Sequence, residues 1–97
     1  MSHYTLRDTA FRELEEIWFY TYQNWSQALA DDYYNALLDR CVWLATNPKL
    51  GKARDDIGKG FFYYPEGRHF IFYEITVHGI EIAGFPHQNM DVVRYFE

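Results

Sequence analysis

The sequence predicts an α+β fold in which a helical hairpin packs on an antiparallel sheet. Two segments in the first half carry apolar residues at the helical period, and three segments in the second half are rich in β-branched and aromatic residues. Turns of two or three residues separate those last segments, and such turns join antiparallel strands. The predicted order is strand, helix, helix and three strands, followed by a C-terminal tail.

The first half of the chain supplies the opening strand and both helices. His3–Leu6 is predicted as a strand, and the helical period then predicts a first helix over about residues 9–24. Asp8 and Thr9 offer capping side chains at its start, as Ser26 does for the second helix. Neither helix can bury its apolar stripe alone, so each needs a partner layer.

The second half supplies that layer. Pro48 ends the second helix, because proline cannot continue the hydrogen-bond ladder. A polar loop bounded by glycines precedes the strands. The predicted ranges are 51–60 for the loop, 61–65, 68–77 and 80–85 for the strands, and 87–97 for the tail.

Alternate residues of the longest strand point to opposite faces of the sheet. Both faces are rich in apolar groups, so we expect the helices to cover one face and something else to cover the other. The two sets are His69, Ile71 and Tyr73 on one face, and Phe70, Phe72 and Glu74 on the other.

Composition limits the function classes. The chain has 97 residues, enough for one domain over residues 1–97, and a net charge of −5, which disfavours binding to nucleic-acid phosphates. The single cysteine, Cys41, excludes an internal disulfide and fits a reducing cytosol. No apolar run approaches the ~20 residues of a membrane helix, and no signal-peptide pattern is present. We therefore expect a cytoplasmic protein.

Aromatic residues make up 21% of the chain, more than a core of this size can hold. Some must lie on the surface, either as a protein-binding patch or as tyrosines at the rim of the core. Phe19 and Trp43 fall off the apolar helical stripes and are expected to point away from the core. We favour a partner contact for them slightly over a cover formed by the tail or the sheet rim.

Motifs for covalent chemistry are absent: no Gly-x-Ser-x-Gly, phosphate-binding glycine loop or His-Glu-x-x-His occurs. Cys41 lies on an apolar helix stripe, which favours the core over a nucleophile. The four histidines lack metal-ligand spacing, although strands can bring His69 and His87 together. The sequence therefore predicts no catalytic residue, no metal site and no cofactor.

Four motifs, in order along nearly the whole chain, resemble one family. They are "LEEIWFYT" at Leu14–Thr21, "LATNPKLGKARDDI" at Leu44–Ile57, "YPEGRHFIFYEI" at Tyr64–Ile75 and "HQNMD" at His87–Asp91. The chain resembles the ParE toxins of the RelE/ParE superfamily of toxin–antitoxin modules, the plasmid-stabilisation type.

The resemblance implies a RelE/ParE-like fold and a bacterial type II toxin that a ParD-like antitoxin wraps and neutralises. Members of this branch act on DNA gyrase, here expected through its A subunit, and break no covalent bond themselves. The resemblance implies neither a membrane partner nor sequence-specific nucleic-acid binding by the toxin alone.

Two sets of site residues are expected. The antitoxin is expected on the outer helix aromatics and the strand edge, at Phe19, Tyr22, Trp43, Phe62 and Tyr64. The target is expected at the end of the chain and the hairpin turn, at Arg68, His87, Asn89, Met90, Asp91 and Arg94.

The chain departs from the family where positive charge is common. Phe62 and Gly84 stand where many relatives carry arginine, and Gln88-Asn89 replaces a frequent Gly-Arg. Because RNA cleavage needs cations that hold phosphate, these losses disfavour a ribonuclease. The same losses also remove positive charge from a strand and a tail that are candidate contacts for gyrase, which disfavours gyrase binding there.

Two alternatives stay open. One is a RelE-like, ribosome-dependent mRNA endonuclease that uses Arg68, His87 and a tyrosine such as Tyr73. The other is a weakly toxic member whose lasting role is to bind its antitoxin.

Overall fold

The structure, a computed structural model, describes residues 3–97 and confirms the predicted α+β fold. Its helices are α1 (Asp8–Asn24), α2 (Gln27–Thr46) and α3 (Val92–Tyr95), and its strands are β1 (His3–Leu6), β2 (Lys52–Ala53), β3 (Phe61–Glu66), β4 (His69–Thr76) and β5 (Gly79–Gly84). A 3₁₀ turn at Pro48–Leu50 follows α2. The short β2 and α3 were not predicted, since the sequence assigned them to a loop and a tail.

The two long helices begin in different ways. Ser26 caps α2 as predicted, because its side chain accepts a hydrogen bond from the backbone N–H of Leu29 at 3.1 Å. The capping prediction for α1 is wrong: Arg7 occupies the cap position, and no side chain caps the helix. The Thr9 hydroxyl instead donates to the Ala83 carbonyl at 3.4 Å, so contacts with β5 position the start of α1.

The sheet has five strands in the order β1-β5-β4-β3-β2. The three strands of the second half pair antiparallel through short turns, as predicted. β1 pairs parallel with β5, with His3 opposite Gly79 and Leu6 opposite Ile82. The connection from β1 into α1 places both long helices over one face of the sheet.

The main core lies between the helices and that face. Its fully or nearly fully buried members are Ala10, Leu14, Leu37, Cys41, Leu44, Ala45, Ile71, Tyr73, Ile80, Ile82 and Phe85. Each large side chain of this kind contributes about 1.5–3 kcal/mol on leaving water. Burial raises the pKa of the Cys41 thiol to about 12, so this cysteine stays protonated within the core.

The C-terminal segment covers part of the opposite face. Phe96 packs on Phe72 and on Phe61, with ring centroids 5.0 and 5.4 Å apart. The Tyr95 hydroxyl donates to a carboxylate oxygen of Glu13 in α1. The covering element on this face, which the sequence left unidentified, is therefore the segment that contains α3. Among the described residues, no helix combines the length and the hydropathy that a bilayer crossing requires.

Candidate partner-binding site

An open groove runs beside α1, between that helix and the segments that flank β4 and β5. We call it the α1 groove. Its cavity volume is about 630 Å³, within the range of ligand and peptide sites. Its lining residues are Glu13, Glu16, Ile17, Tyr20, Thr21, Trp25, Leu29, Tyr33, Gly67, Arg68, His69, Phe85, His87 and Met90.

The surface of the groove is largely apolar and open to solvent. Tyr20 is 61% exposed and Trp25 56%, while Leu29 and Met90 are each 49% exposed. These residues lie together around one groove, which distinguishes them from isolated surface apolar groups. Clustered apolar surface of this kind marks an interaction site.

A polar cluster forms one side of the groove. The hydroxyl of Tyr33 lies 2.7 Å from Nδ1 of His69 and accepts a hydrogen bond from the backbone N–H of Arg68 at 3.0 Å. Burial, and then the neighbouring His87, lower the pKa of His69 to about 4, so its imidazole is neutral near pH 7. Gly67 allows this packing, since it adopts a φ of 58° and any Cβ there would collide with the Tyr33 ring.

The His87–Asp91 motif closes the same side. His87 pairs with His69 in an antiparallel bridge, and its Nδ1 accepts a hydrogen bond from the Asn89 N–H at 3.1 Å. The Gln88 side chain donates to the carbonyls of Gly67 and His69, both at 3.0 Å. Gln88 thereby fixes the chain end to the β3–β4 turn.

Arg68 supplies positive charge at the groove. Its guanidinium lies 6.0 Å from the ring centroid of Trp25, at the outer limit of a cation–π contact. It forms no ion pair with another residue of the described range 3–97, whereas Arg7, Arg40 and Arg54 each do. The Arg68 charge is therefore available to a partner.

Two of the five predicted antitoxin contacts are exposed on the outer side of the helical hairpin. Phe19 is 53% and Tyr22 46% exposed, as the helical period predicted for Phe19. Trp18 stacks on Tyr22 at 5.3 Å, and its indole N–H donates to Asp31 of α2 at 2.8 Å. These contacts hold the exposed aromatic rings in place before any partner binds.

The other three predicted antitoxin contacts are half-buried. The expectation that Trp43 points away from the core is wrong, because its ring lies 5.2 Å from Tyr64 and packs beside the core. The sheet rim covers it, which was the alternative considered above. Phe62 stacks on Tyr73 at 5.7 Å and likewise contributes to packing.

The predicted target residues are divided between two places. Arg68, His87 and Met90 line the α1 groove, and Asn89 donates to His87 beside it. The Asp91 carboxylate caps α3 by accepting from the backbone N–H groups of Val93 and Arg94.

The sequence missed several groove residues, among them Tyr20, Trp25, Leu29 and Tyr33. In the sequence, Trp25 and Tyr33 fall on the apolar stripes of the two helices, a pattern that predicts burial. The available signal was the position of Trp25 just beyond the end of α1, in the break before α2, where no helix face fixes its direction.

Tyr73 cannot serve the endonuclease alternative. Its side chain is fully buried on the helix-covered face, and its hydroxyl donates to the Pro48 carbonyl at 2.8 Å. Burial raises its pKa to about 12. Arg68 and His87 lie at the groove, so the structure does not bring these two side chains together with that of Tyr73. Within residues 3–97, no three His, Cys, Asp or Glu side chains are placed to hold a metal ion.

Comparison with known proteins identifies the family to which this fold and sequence are similar. The sequence model of a family described as "ParE toxin of type II toxin-antitoxin system, parDE" matches residues 4–92. A solved structure titled "Chromosomal ParDE TA system from P. aeruginosa" has the same fold, with a TM-score of 0.75 at 12% identity, over 90% of this chain and 96% of that one.

Curated relatives agree. Toxin ParE1 of Mycobacterium tuberculosis is 38% identical over 94 residues, which is 96% of each chain. Toxin ParE1 of Caulobacter vibrioides is 31% identical over 91 residues, which is 94% of each chain. The chain belongs to the ParE toxin family of type II toxin–antitoxin systems.

Proposed function

We propose that a ParD-like antitoxin neutralises this toxin and that the free toxin inhibits DNA gyrase through its A subunit, without catalysing a reaction. The observation that carries the proposal is the family match over residues 4–92. The α1 groove and the exposed hairpin aromatics supply surfaces for protein partners. Gyrase inhibition requires that the toxin act in the bacterial cytoplasm.

The antitoxin surface includes the outer side of the hairpin. Phe19 and Tyr22 supply the large exposed aromatic area, and Trp43, Phe62 and Tyr64 contribute their exposed edges along the rim of the sheet. Aromatic side chains dominate the energetics of many protein interfaces, because they bury much area with few rotatable bonds.

The target surface combines cationic and polar groups near the chain end. Arg68, His87 and Met90 lie at the groove, Asn89 is exposed beside them, and Asp91 and Arg94 belong to the segment that forms α3. Neither Arg68 nor Arg94 forms an ion pair within the described range, and Arg68 also lines the groove, so it is a candidate for a charged contact with gyrase.

A binding experiment tests the antitoxin surface. Phe19→Asp should weaken capture by the antitoxin encoded beside the gene at least about tenfold, while leaving the melting temperature unchanged. Val42→Asp is the matched control, since Val42 is 55% exposed on α2 and does not line the α1 groove. Equal binding by the two variants would show that Phe19 makes no contact.

A supercoiling assay tests the target. Purified gyrase should lose activity and accumulate cleaved DNA when the toxin is added, and prior addition of antitoxin should restore supercoiling. No effect at a large excess of folded toxin would overturn gyrase as the target.

The alternatives predict different cellular effects. Rapid loss of translation on induction would favour an mRNA endonuclease, although the burial of Tyr73 argues against the trio proposed for it. Unimpaired growth would favour a member that only binds its antitoxin. Filamentation with DNA damage would support gyrase inhibition.

A further inference from the structure

The α1 groove is polarised along its length. Glu13 and Glu16 line it near the middle of α1, whereas Trp25, with Arg68 beside it, lies at the end of the helix. Glu13 and Trp25 are twelve positions apart, which is about 18 Å along a helix axis. Apolar side chains, among them Ile17, occupy the wall between these ends. One end is therefore acidic, the middle is apolar, and the other end is cationic.

One histidine adds a hydrogen-bond donor to the cationic end. Nδ1 of His87 accepts the Asn89 N–H, which leaves Nε2 as the nitrogen that carries the ring proton. The Tyr33 hydroxyl donates to the Glu66 carbonyl at 3.1 Å and lies 2.7 Å from Nδ1 of His69, so the His69 ring is already engaged within the protein. The Arg68 guanidinium and the His87 imidazole N–H form a donor set suited to a carboxylate.

The two carboxylates at the acidic end differ in whether they already have hydrogen-bond partners. One carboxylate oxygen of Glu13 accepts the Phe85 N–H at 2.9 Å and the other accepts the Tyr95 hydroxyl, so this side chain is already engaged. Glu16 is exposed and has no ion pair with another described residue. Glu16 is therefore the acid that a basic partner residue would meet.

From this arrangement we infer that the α1 groove receives one amphipathic segment of the antitoxin, in a fixed direction. Its apolar residues fill the middle, a carboxylate side chain meets Arg68, and a basic side chain meets Glu16. The inference rests on the proposed function. It adds the docking site, the order of charges along the docked segment and the toxin residues that contact those charges.

Charge complementarity selects this occupant over others. A nucleic-acid strand along the groove would place phosphates against Glu13 and Glu16, which repel them. An amphipathic peptide, by contrast, satisfies the apolar middle and both charged ends at once. If the segment lies here it covers Arg68 and His87, so neutralisation follows directly from occupation of residues proposed to face the target.

Affinity measurements on the full-length toxin test the cationic end. The probe is the antitoxin encoded beside the gene, titrated by calorimetry. Arg68→Glu should weaken binding at least about tenfold and reduce the salt dependence of the affinity. Arg12→Glu is the matched control, because Arg12 is exposed on α1 outside the groove, and it should retain wild-type affinity.

The apolar lining and the acidic end of the groove have their own variants. Leu29→Asp should lower the affinity more than Val42→Asp, although the two side chains are 49% and 55% exposed. Glu16→Lys should weaken binding at least about threefold, and a charge reversal of the antitoxin's matching basic residue should recover the loss. Thermal melting of each variant shows whether the fold is retained.

The outcomes separate the two proposals. Tight antitoxin binding that Arg68→Glu, Leu29→Asp and Glu16→Lys leave unchanged overturns the inference and leaves the proposed function standing. No antitoxin binding to the wild-type toxin overturns the proposed partner and, with it, this docking site. A toxin that dimerises alone, and becomes monomeric on Leu29→Asp, shows that a second copy occupies the groove, which also overturns the inference.

Discussion

The two faces of the sheet are covered by very different amounts of chain. The long helices α1 and α2 cover one face with a continuous core of mostly aliphatic side chains. The short C-terminal segment covers the other with two aromatic residues, Tyr95 and Phe96, above Phe72. The first face therefore supports the whole fold, whereas the second depends on a few local contacts and can open independently.

The faces also differ in charge. On the second face, Arg7 pairs with Glu81 at 2.8 Å and with Glu74. Arg54, at the edge of that face, pairs with Asp56 at 2.9 Å and lies over the Tyr63 ring. Cations already paired with carboxylates bind phosphate poorly. This arrangement argues against RNA binding there, in agreement with the expectation from the charge of the chain.

The largest expected difference between the two faces is in the stability that is lost when one side chain on each face is truncated to alanine. Leu37→Ala on the helix-covered face should lower the free energy of unfolding by about 3 kcal/mol, because Leu37 is fully buried. Phe96→Ala should cost only about 1–2 kcal/mol, since its ring is half-buried on the sheet. Urea unfolding measures both, and equal losses would contradict the difference drawn between the faces.

A smaller effect is expected at Gly84, where the second face meets the C-terminal segment. A Cβ on residue 84 would collide with the Tyr95 hydroxyl, so Gly84→Ala should cost about 1–2 kcal/mol. Tyr95→Phe removes that hydroxyl, and in its background Gly84→Ala should cost less. Hydrogen exchange should show lost protection in α3 while α2 is unaffected. Additive costs in the double variant would show that the two residues do not couple.

Gly84 also shows what sequence reasoning could and could not supply. It appeared only as a position that lacks the arginine of many relatives. The structure shows that the absent side chain leaves room for Tyr95 and so permits the C-terminal cover. That role depends on a residue eleven positions later in the chain, which local patterns do not reveal.

The elements with strong periodicity were predictable, and the sites between them were not. The stripe of α2 predicted most of the residues that it buries, and the alternation of β4 predicted which face of the sheet each residue occupies, because a single element determines those faces. The α1 groove combines Trp25, Leu29, Arg68 and Met90 from four separate segments. Trp43 was misplaced for a related reason, since its cover is Tyr64 of β3 and not part of its own helix.

The smallest predicted effect concerns His69, at the rim of the helix-covered face. Burial and His87 lower its pKa from 6.5 to about 4, so the unfolded chain takes up a proton at a higher pH than the folded one. The contribution of the neutral His69 ring to the free energy of unfolding is therefore fully present above about pH 6.5 and is lost as the pH is lowered towards 4. Because the ring is partly open to the groove, solvent screening reduces the expected loss at pH 5.5 to about 0.5–1 kcal/mol.

Urea unfolding at pH 7.5 and 5.5 measures this loss, and two variants assign it. His69→Gln should flatten the pH dependence, because it removes the group that the fold keeps neutral. His78→Gln, in the exposed turn between β4 and β5, should retain the wild-type slope. If stability depended on pH in His69→Gln as it does in the wild type, another group would be taking up the proton. The rim of the helix-covered face would then contribute no more to the pH dependence than its buried centre does.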